Sequence, residues 1–108
     1  MAADPDFVEY VLEQLEGVGD ITHKAMFGGY GFWERGDMFA LVSSDSTLYF
    51  KVDDDTRSRY QEAGSEQFRN MPYWSVPADL LEDRELFHEW AREAIAVGHA
   101  TARRRQRR

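Results

Sequence analysis

The sequence contains no cysteine, which excludes disulfide bonds, thiolate catalysis and every cysteine-based metal site. No apolar run approaches the roughly 20 residues that a membrane-spanning helix needs. The segment Met1–Asp6 has neither a basic start nor an apolar stretch, so no signal peptide is predicted. These absences favour a cytoplasmic protein without a membrane-embedded part.

Lysine is also scarce, with Lys24 and Lys51 as the only two in 108 residues, a length typical of one domain. Acidic residues number 20 against 13 basic residues, which gives a net charge of −7. Five of the basic residues are arginines within 103–108, so residues 1–102 hold 8 basic against 20 acidic residues, a balance of −12. An acidic body of this kind repels phosphate backbones. The bias is compatible with a salt-adapted host and equally with an ordinary charged surface.

Hydrophobic periodicity predicts an α+β fold in which helices pack on one face of an antiparallel sheet of about four to six strands. Asp4 and Pro5 suit the start of a first helix. Four strand-like runs follow, with short connections rich in Gly, Asp and Ser that are typical of hairpins. The runs are Ile21–Phe27, Tyr30–Glu34, Met38–Val42 and Thr47–Val52. The remaining predicted elements are a helix over Thr56–Ala63, one or two short strands within Gln67–Phe68 and Tyr73–Val76, and a last helix from Pro77.

The inward-facing positions of these elements predict one shared hydrophobic core. Its predicted members are Phe7, Val11, Leu12, Phe39, Leu41, Leu48, Phe50, Leu86, Phe87 and Trp90. We expect residues 1–102 to form the domain and residues 103–108 to form a basic tail.

Several short motifs occur in a fixed order along the chain. The first is KAMFGGYG at Lys24–Gly31, and the later ones are Met38–Leu41, Leu48–Asp53, Met71–Pro77, Leu80–Asp83 and Glu89–Arg92. In this order they resemble the TfoX N-terminal domain (TfoX/Sxy) family, whose signature K-x-M-F-G-G-x-G the first motif matches. The resemblance runs from about Phe7 to Val97 and implies a secretion-chaperone-like α/β fold. It also implies a regulatory role, since the regulators that name the family control competence genes for DNA uptake.

The sequence shows no catalytic constellation. A strand pattern follows Gly28–Gly31, whereas a phosphate-binding loop would open a helix, so a turn or bulge is favoured. Asp53–Asp55 precede a helix and are interpreted as capping residues. His88 begins the zinc-protease pattern H-E-x-x-H, but Arg92 occupies its last position. We therefore expect a protein that is not an enzyme and that holds no cofactor and no metal.

Two strand regions supply the candidate interaction residues, which are Lys24, Met26, Phe27, Gly28, Gly29, Tyr49 and Lys51. For Met26 and Phe27, two interpretations stay open: core residues, or an exposed patch that binds a partner. The two lysines either pair with nearby carboxylates or meet on one sheet face beside Tyr49. In the second case they would form a small cationic spot for an acidic ligand or partner.

The basic tail also has two possible fates. Its residues are Arg103, Arg104, Arg105, Arg107 and Arg108. Either they extend the last helix and lie against the acidic body, or they project as an arm that contacts nucleic acid weakly. The leading hypothesis is a non-catalytic module that binds another protein, as a monomer or homodimer. The alternatives are a nucleic-acid-associated regulator that uses the tail and, further off, a small-ligand binder or enzyme.

Overall fold

The computed structural model describes residues 2–106, and within them the chain forms three α-helices and a five-stranded antiparallel sheet. The helices are α1 (Pro5–Gln14), α2 (Arg57–Glu62) and α3 (Arg84–Gln106), with a 3₁₀ helix at Ala78–Glu82. The strands are β1 (Ile21–Met26), β2 (Gly29–Glu34), β3 (Asp37–Val42), β4 (Leu48–Lys51) and β5 (Tyr73–Ser75). They lie in the order β1-β2-β3-β4-β5, so each strand pairs with its neighbour in sequence. The predicted α+β class and strand number are confirmed.

The start of α1 follows from its sequence. The Asp4 carboxylate accepts a hydrogen bond from the backbone N–H of Asp6 at 3.0 Å, and Pro5 takes the first helical position, where no partner for a backbone N–H is needed. Val8 and Val11 recur at helical spacing and are both buried. The helix therefore turns one apolar face towards the core, where it meets α3, and leaves its acidic residues in solvent.

A β-bulge in β3 decides which of its side chains enter the core. Phe32 pairs with Ala40 and Trp33 pairs with Met38, so Phe39 is an extra residue without a partner on β2. A bulge of this kind turns two successive side chains to one face, and Phe39 and Ala40 are both 0% exposed. The Phe39 ring reaches Phe50 of β4 at a centroid distance of 6.2 Å.

The bulge also corrects the predicted core. Leu41 is only 7% exposed, yet it lies outside the main core cluster, on the opposite face of the sheet. Leu86 is 39% exposed because it lies on the solvent side of α3, one position before the fully buried Phe87. The assignment of these two leucines to the shared core is therefore wrong. Phe7 and Leu12 are partly buried against the core, and the other predicted members are buried within it.

Helix α3 crosses the inner face of the sheet and closes the core. The Phe87 ring lies 5.6 Å from Phe50, and Trp90 meets Tyr60 of α2 edge to face at 4.7 Å. A Cβ atom at Gly98 would lie 2.8 Å from the carbonyl oxygen of Met38. Only glycine therefore allows the helix to approach β3 so closely.

The segment from Pro77, for which one helix is predicted, forms two elements, the 3₁₀ helix and α3. The 3₁₀ helix ends at Glu82, and the extended backbone of the next residue, Asp83 (φ −116°, ψ 94°), interrupts the helical path. The Asp83 carboxylate then accepts a hydrogen bond from the backbone N–H of Leu86 at 3.2 Å, at the start of α3. At its other end, α3 includes Arg103–Arg105 and ends at Gln106, while Arg107 and Arg108 lie outside the described residues. No helix within residues 2–106 has both the length and the apolar character needed to cross a membrane.

Candidate interaction site

The turn between β1 and β2 carries the most exposed large apolar side chain among the described residues. It consists of Phe27 and Gly28, whose φ angles are +49° and +81°. Two positive φ angles define the type I′ hairpin geometry, for which Asn-Gly is the preferred pair. Phe27 is 96% exposed, so its side chain gains no burial in return for this backbone conformation. An apolar side chain held in a strained, solvent-exposed position is typical of a functional surface rather than of a core.

Glycines on β2 let neighbouring groups approach its backbone. A Cβ atom at Gly29 would lie 2.1 Å from the carbonyl oxygen of Val42, so β3 passes too close for any larger residue. At Gly31 the same atom would meet the Met26 sulfur at 2.8 Å and the ring of Trp33 at 2.7 Å. Gly31 therefore leaves space for two large side chains to lie over the outer face of the sheet, which is the face opposite α3.

An apolar cleft of about 340 Å³ opens on this outer face beside Phe27. Its apolar lining comes from the turn, from strands β2 and β3 and from the loop before β5. These lining residues are Met26, Phe27, Tyr30, Met38, Leu41, Val42, Phe68 and Met71. Arg69 is the charged residue in the lining, and no carboxylate is among the lining groups. We call this surface, together with Phe27, the Phe27 cleft.

The two edges of the sheet differ. Outside β5, the loop that precedes it adds further hydrogen bonds, from the Phe68 N–H to the Tyr73 carbonyl at 2.8 Å and from the Ser75 N–H to the Glu66 carbonyl at 2.9 Å. The edge of β1 that points away from β2 forms no such hydrogen bonds among residues 2–106, and residues 22–25 are exposed. The open edge of β1 therefore runs directly into the Phe27 turn.

The structure places the remaining candidate residues apart from one another. Lys24 pairs with Gly31, Gly31 with Leu41, and Leu41 with Tyr49, so β2 and β3 lie between Lys24 and β4. Lys24 and Tyr49 are thus three strand spacings apart, a backbone distance of about 14 Å. Lys51 lies two residues beyond Tyr49 on the same face, but it is only 8% exposed. The two lysines therefore do not form the joint cationic spot that their sequence context suggested.

Tyr49 belongs to the cover of the outer face. Its ring lies 4.9 Å from the Phe68 ring, and burial, helped by the nearby Asp45 charge, raises the pKa of its hydroxyl. The side chain is therefore neutral at physiological pH. Its contact with Phe68 holds the loop before β5 against the sheet and so helps to shape the Phe27 cleft.

Sequence reasoning missed a cluster at the other end of the sheet, where His99 of α3 meets the β2–β3 turn. The His99 Nδ1 atom lies 2.6 Å from Asp37 Oδ2, and its Nε2 atom lies 2.6 Å from Glu34 Oε1. Both partners are acceptors, so the ring donates from both nitrogens, as an imidazolium does. These hydrogen bonds, to Asp37 first and Glu34 second, raise the pKa of His99. Some 60 positions separate the partners in sequence, and no short motif links them.

Within residues 2–106, no group of three or more His, Asp or Glu residues has an arrangement that would hold a metal ion. Asp53, the first of the three consecutive aspartates, accepts hydrogen bonds from the backbone N–H groups of Asp55 and Thr56, both at 3.0 Å. That carboxylate is therefore engaged in shaping the turn that leads into α2.

The fold and motifs together place this chain in a known class of domain. Residues 13–98 match the TfoX N-terminal domain, so the chain belongs to that family. Among curated proteins it is similar to the DNA transformation protein TfoX1 of Aliivibrio fischeri, with 25% identity over 84 residues. The matched region is 77% of this chain and 40% of the relative, so the chain spans about two fifths of the relative's length.

Proposed function

We propose that this domain is a non-catalytic regulatory module that binds another protein through the Phe27 cleft and the adjoining open edge of β1. The observation that carries the proposal is the position of Phe27, which is 96% exposed in a left-handed backbone conformation next to an apolar cleft. A partner that covered Phe27 would bury an apolar side chain that the fold itself leaves exposed to water.

The proposed occupant is an extended segment of a different protein that adds a strand to β1. An exposed sheet edge offers unpaired backbone groups, and strand addition uses them for affinity while side-chain pockets supply specificity. The cleft would take one apolar side chain of that segment. Lys24 lies on the same face of β1 as Met26, and it would pair with a carboxylate of the partner.

Charge argues against a second copy of this chain as the occupant. A lysine on an edge strand opposes edge-to-edge pairing of like strands, because the approaching copy brings its own lysine. Arg69 is the charged residue of the cleft lining and Lys24 lies two residues before Met26, while Asp45 contacts Ser43 in the wall of the cleft. Two copies that each carry −7 repel one another, so a short apolar segment of another protein, with a carboxylate for Lys24, fits this surface better than a second copy does.

The name of the similar TfoX1 protein refers to DNA transformation. We propose that this domain has a related role in competence, which it exerts by engaging a partner protein rather than by reading DNA bases itself. The acidic body supports this view because it disfavours contact with phosphate backbones over most of its surface.

The test is site-specific photo-crosslinking of the full chain in host cells, with p-benzoylphenylalanine in place of Thr22 on β1. This position leaves Lys24 and Phe27 intact. We expect a discrete crosslink to another protein, reduced more than about tenfold by Phe27→Asn, as for other interface residues that dominate binding. Asparagine suits a positive φ, so this change removes the ring while it preserves the turn.

The matched control is Leu86→Asn, which removes a 39% exposed leucine on α3, away from the cleft. This variant should keep the crosslink at the wild-type level. Equal crosslinking in the Phe27→Asn and wild-type chains, or a crosslink only between two copies of the chain, would contradict the proposal.

A further inference from the structure

A second candidate site surrounds Lys51, at the end of β4 and remote from the open edge of β1. Lys51 is 8% exposed, and its ammonium lies 5.7 Å above the ring centre of Tyr73 on β5. A lysine whose side chain is this strongly covered is expected to have a carboxylate partner for its ammonium. None of the ion pairs formed among residues 2–106 involves Lys51.

The neighbours of Lys51 add positive charge. Arg104 and Arg105 of the last turn of α3 line the same cleft of about 410 Å³, and neither forms an ion pair among the described residues. Burial lowers the pKa of Lys51, and Arg105 and Arg104 lower it further, against an opposing effect of Asp37. The Asp37 carboxylate is already bonded to His99 at 2.6 Å.

The carboxylates in the wall of this cleft are also engaged elsewhere. Asp53 accepts two backbone N–H groups of the turn before α2, and Asp54 pairs with Arg57 at 3.0 Å. Arginines in a last helical turn interact favourably with the helix dipole, which accounts for Arg104 and Arg105 by themselves. It does not account for the lysine beside them, since like charges that line one cleft repel one another.

We propose that the cleft lined by Lys51, Arg104 and Arg105 is a binding site for the phosphate group of a small phosphomonoester. A dianion would offset two of the three positive charges at once. Guanidinium groups offer paired N–H donors that match phosphate oxygens, and lysine adds a compact point charge. The Asn70 side chain in the same wall supplies a neutral polar group. A compact anion fits better than a polyanion, because the acidic body around the cleft repels an extended phosphate backbone.

The test is an NMR titration of the isotopically labelled full chain with inorganic phosphate at constant ionic strength, with chloride as the reference salt. We expect saturable shifts of the backbone amides of Asn70, Thr101, Arg104 and Arg105. Lys51→Gln should weaken binding by about tenfold or more, which corresponds to the loss of one charged hydrogen-bonding partner. The matched control is Lys24→Gln, which removes the other lysine of the chain from exposed β1 and should bind phosphate within about twofold of wild type.

The same titration with a nucleoside monophosphate and with a sugar phosphate distinguishes the source of the phosphate group. Tighter binding of either compound than of inorganic phosphate identifies the class of small molecule that the cleft accepts. The proposal is wrong if phosphate produces no saturable shift or if Lys24→Gln and Lys51→Gln weaken binding equally. It is also wrong if a DNA duplex binds at this cleft while none of the three small anions does.

Discussion

His99 of α3 and Glu34 at the end of β2 form a hydrogen bond of 2.6 Å between Nε2 and Oε1. Glu34 also accepts the backbone N–H of Asp20 at 3.0 Å, so its carboxylate joins α3 to the segment before β1. The Asp20 N–H, followed by His99, lowers the pKa of Glu34. The pair thus links three distant parts of the chain, and its strength depends on the protonation of the His99 ring and of the Glu34 carboxylate.

We predict that the contribution of this pair to stability is greatest between about pH 4.5 and 6.5. The pKa of His99 is raised from 6.5, so its contribution is fully present below 6.5 and is lost as the pH rises through the folded value. The pKa of Glu34 is lowered from 4.5, so its contribution is present above 4.5 and is lost as the pH falls through the folded value. Chemical denaturation of wild type and His99→Gln across this range measures the difference.

Within that pH range, His99→Gln should lower the free energy of unfolding by about 1–3 kcal/mol, which is the range for hydrogen bonds to charged groups. His88→Gln is the control, because the His88 ring contacts the neutral backbone carbonyl of Gln14 at 2.7 Å. The His88→Gln variant should therefore still lose stability as the pH rises above that range. A constant difference between wild type and His99→Gln at every pH would show that the pair makes no titratable contribution.

Phe50→Ala should lower the free energy of unfolding by about 3–5 kcal/mol, as is usual for a fully buried aromatic residue. Phe50 is 0% exposed and lies between the rings of Phe39 and Phe87. Leu86→Ala, at a 39% exposed position, should change stability by no more than about 0.5 kcal/mol. Urea denaturation of both variants is the measurement, and similar losses in the two would contradict the assigned core.

Phe27→Asn should stabilise the fold by about 1 kcal/mol while it impairs partner binding. The φ angle of +49° is unfavourable for phenylalanine, whereas an Asn-Gly pair is preferred in this turn type. Thermal unfolding measures the gain. A stabilised variant that binds its partner poorly would show that the ring is retained for binding at the expense of stability, and a destabilised variant would contradict the assigned turn.

Gly29→Ala should be more destabilising than Gly31→Ala. The added methyl group at position 29 meets the backbone carbonyl of Val42 at 2.1 Å, so β3 must move, and overpacking of this kind costs about 1–3 kcal/mol. At position 31 it meets the ends of the Met26 and Trp33 side chains, which can rotate away. Equilibrium denaturation should rank the two variants in this order, and the reverse order would show that the β2–β3 contact is looser than described.

We also predict that removal of residues 103–108 leaves duplex DNA binding at physiological salt unchanged and weak. Arg103–Arg105 belong to α3, on a body whose balance is −12 over residues 1–102. Gel shifts with the full chain and with residues 1–102 provide the comparison. Tight, salt-sensitive binding that only the full chain shows would favour the nucleic-acid alternative.

The sequence by itself determined most of the secondary structure and the order of the sheet. Short turns between successive apolar runs force neighbouring strands to pair, so the meander follows from local signals alone. The motif around Lys24–Gly31 was sufficient to indicate the family. The exposure of Phe27 was not determined in the same way, because an apolar residue next to a hairpin turn is compatible with either a core or a surface position.

Only the tertiary structure decided which distant side chains meet. The bulge at Phe39 shifted Leu41 to the outer face, and a shift of one residue reverses the direction of every later side chain in a strand. The same long-range geometry separated Lys24 from Lys51 and placed Arg104 and Arg105 beside Lys51 instead. Such contacts depend on strand register and on where α3 ends. These features arise from the packing of the whole core, and no local pattern in the sequence encodes them.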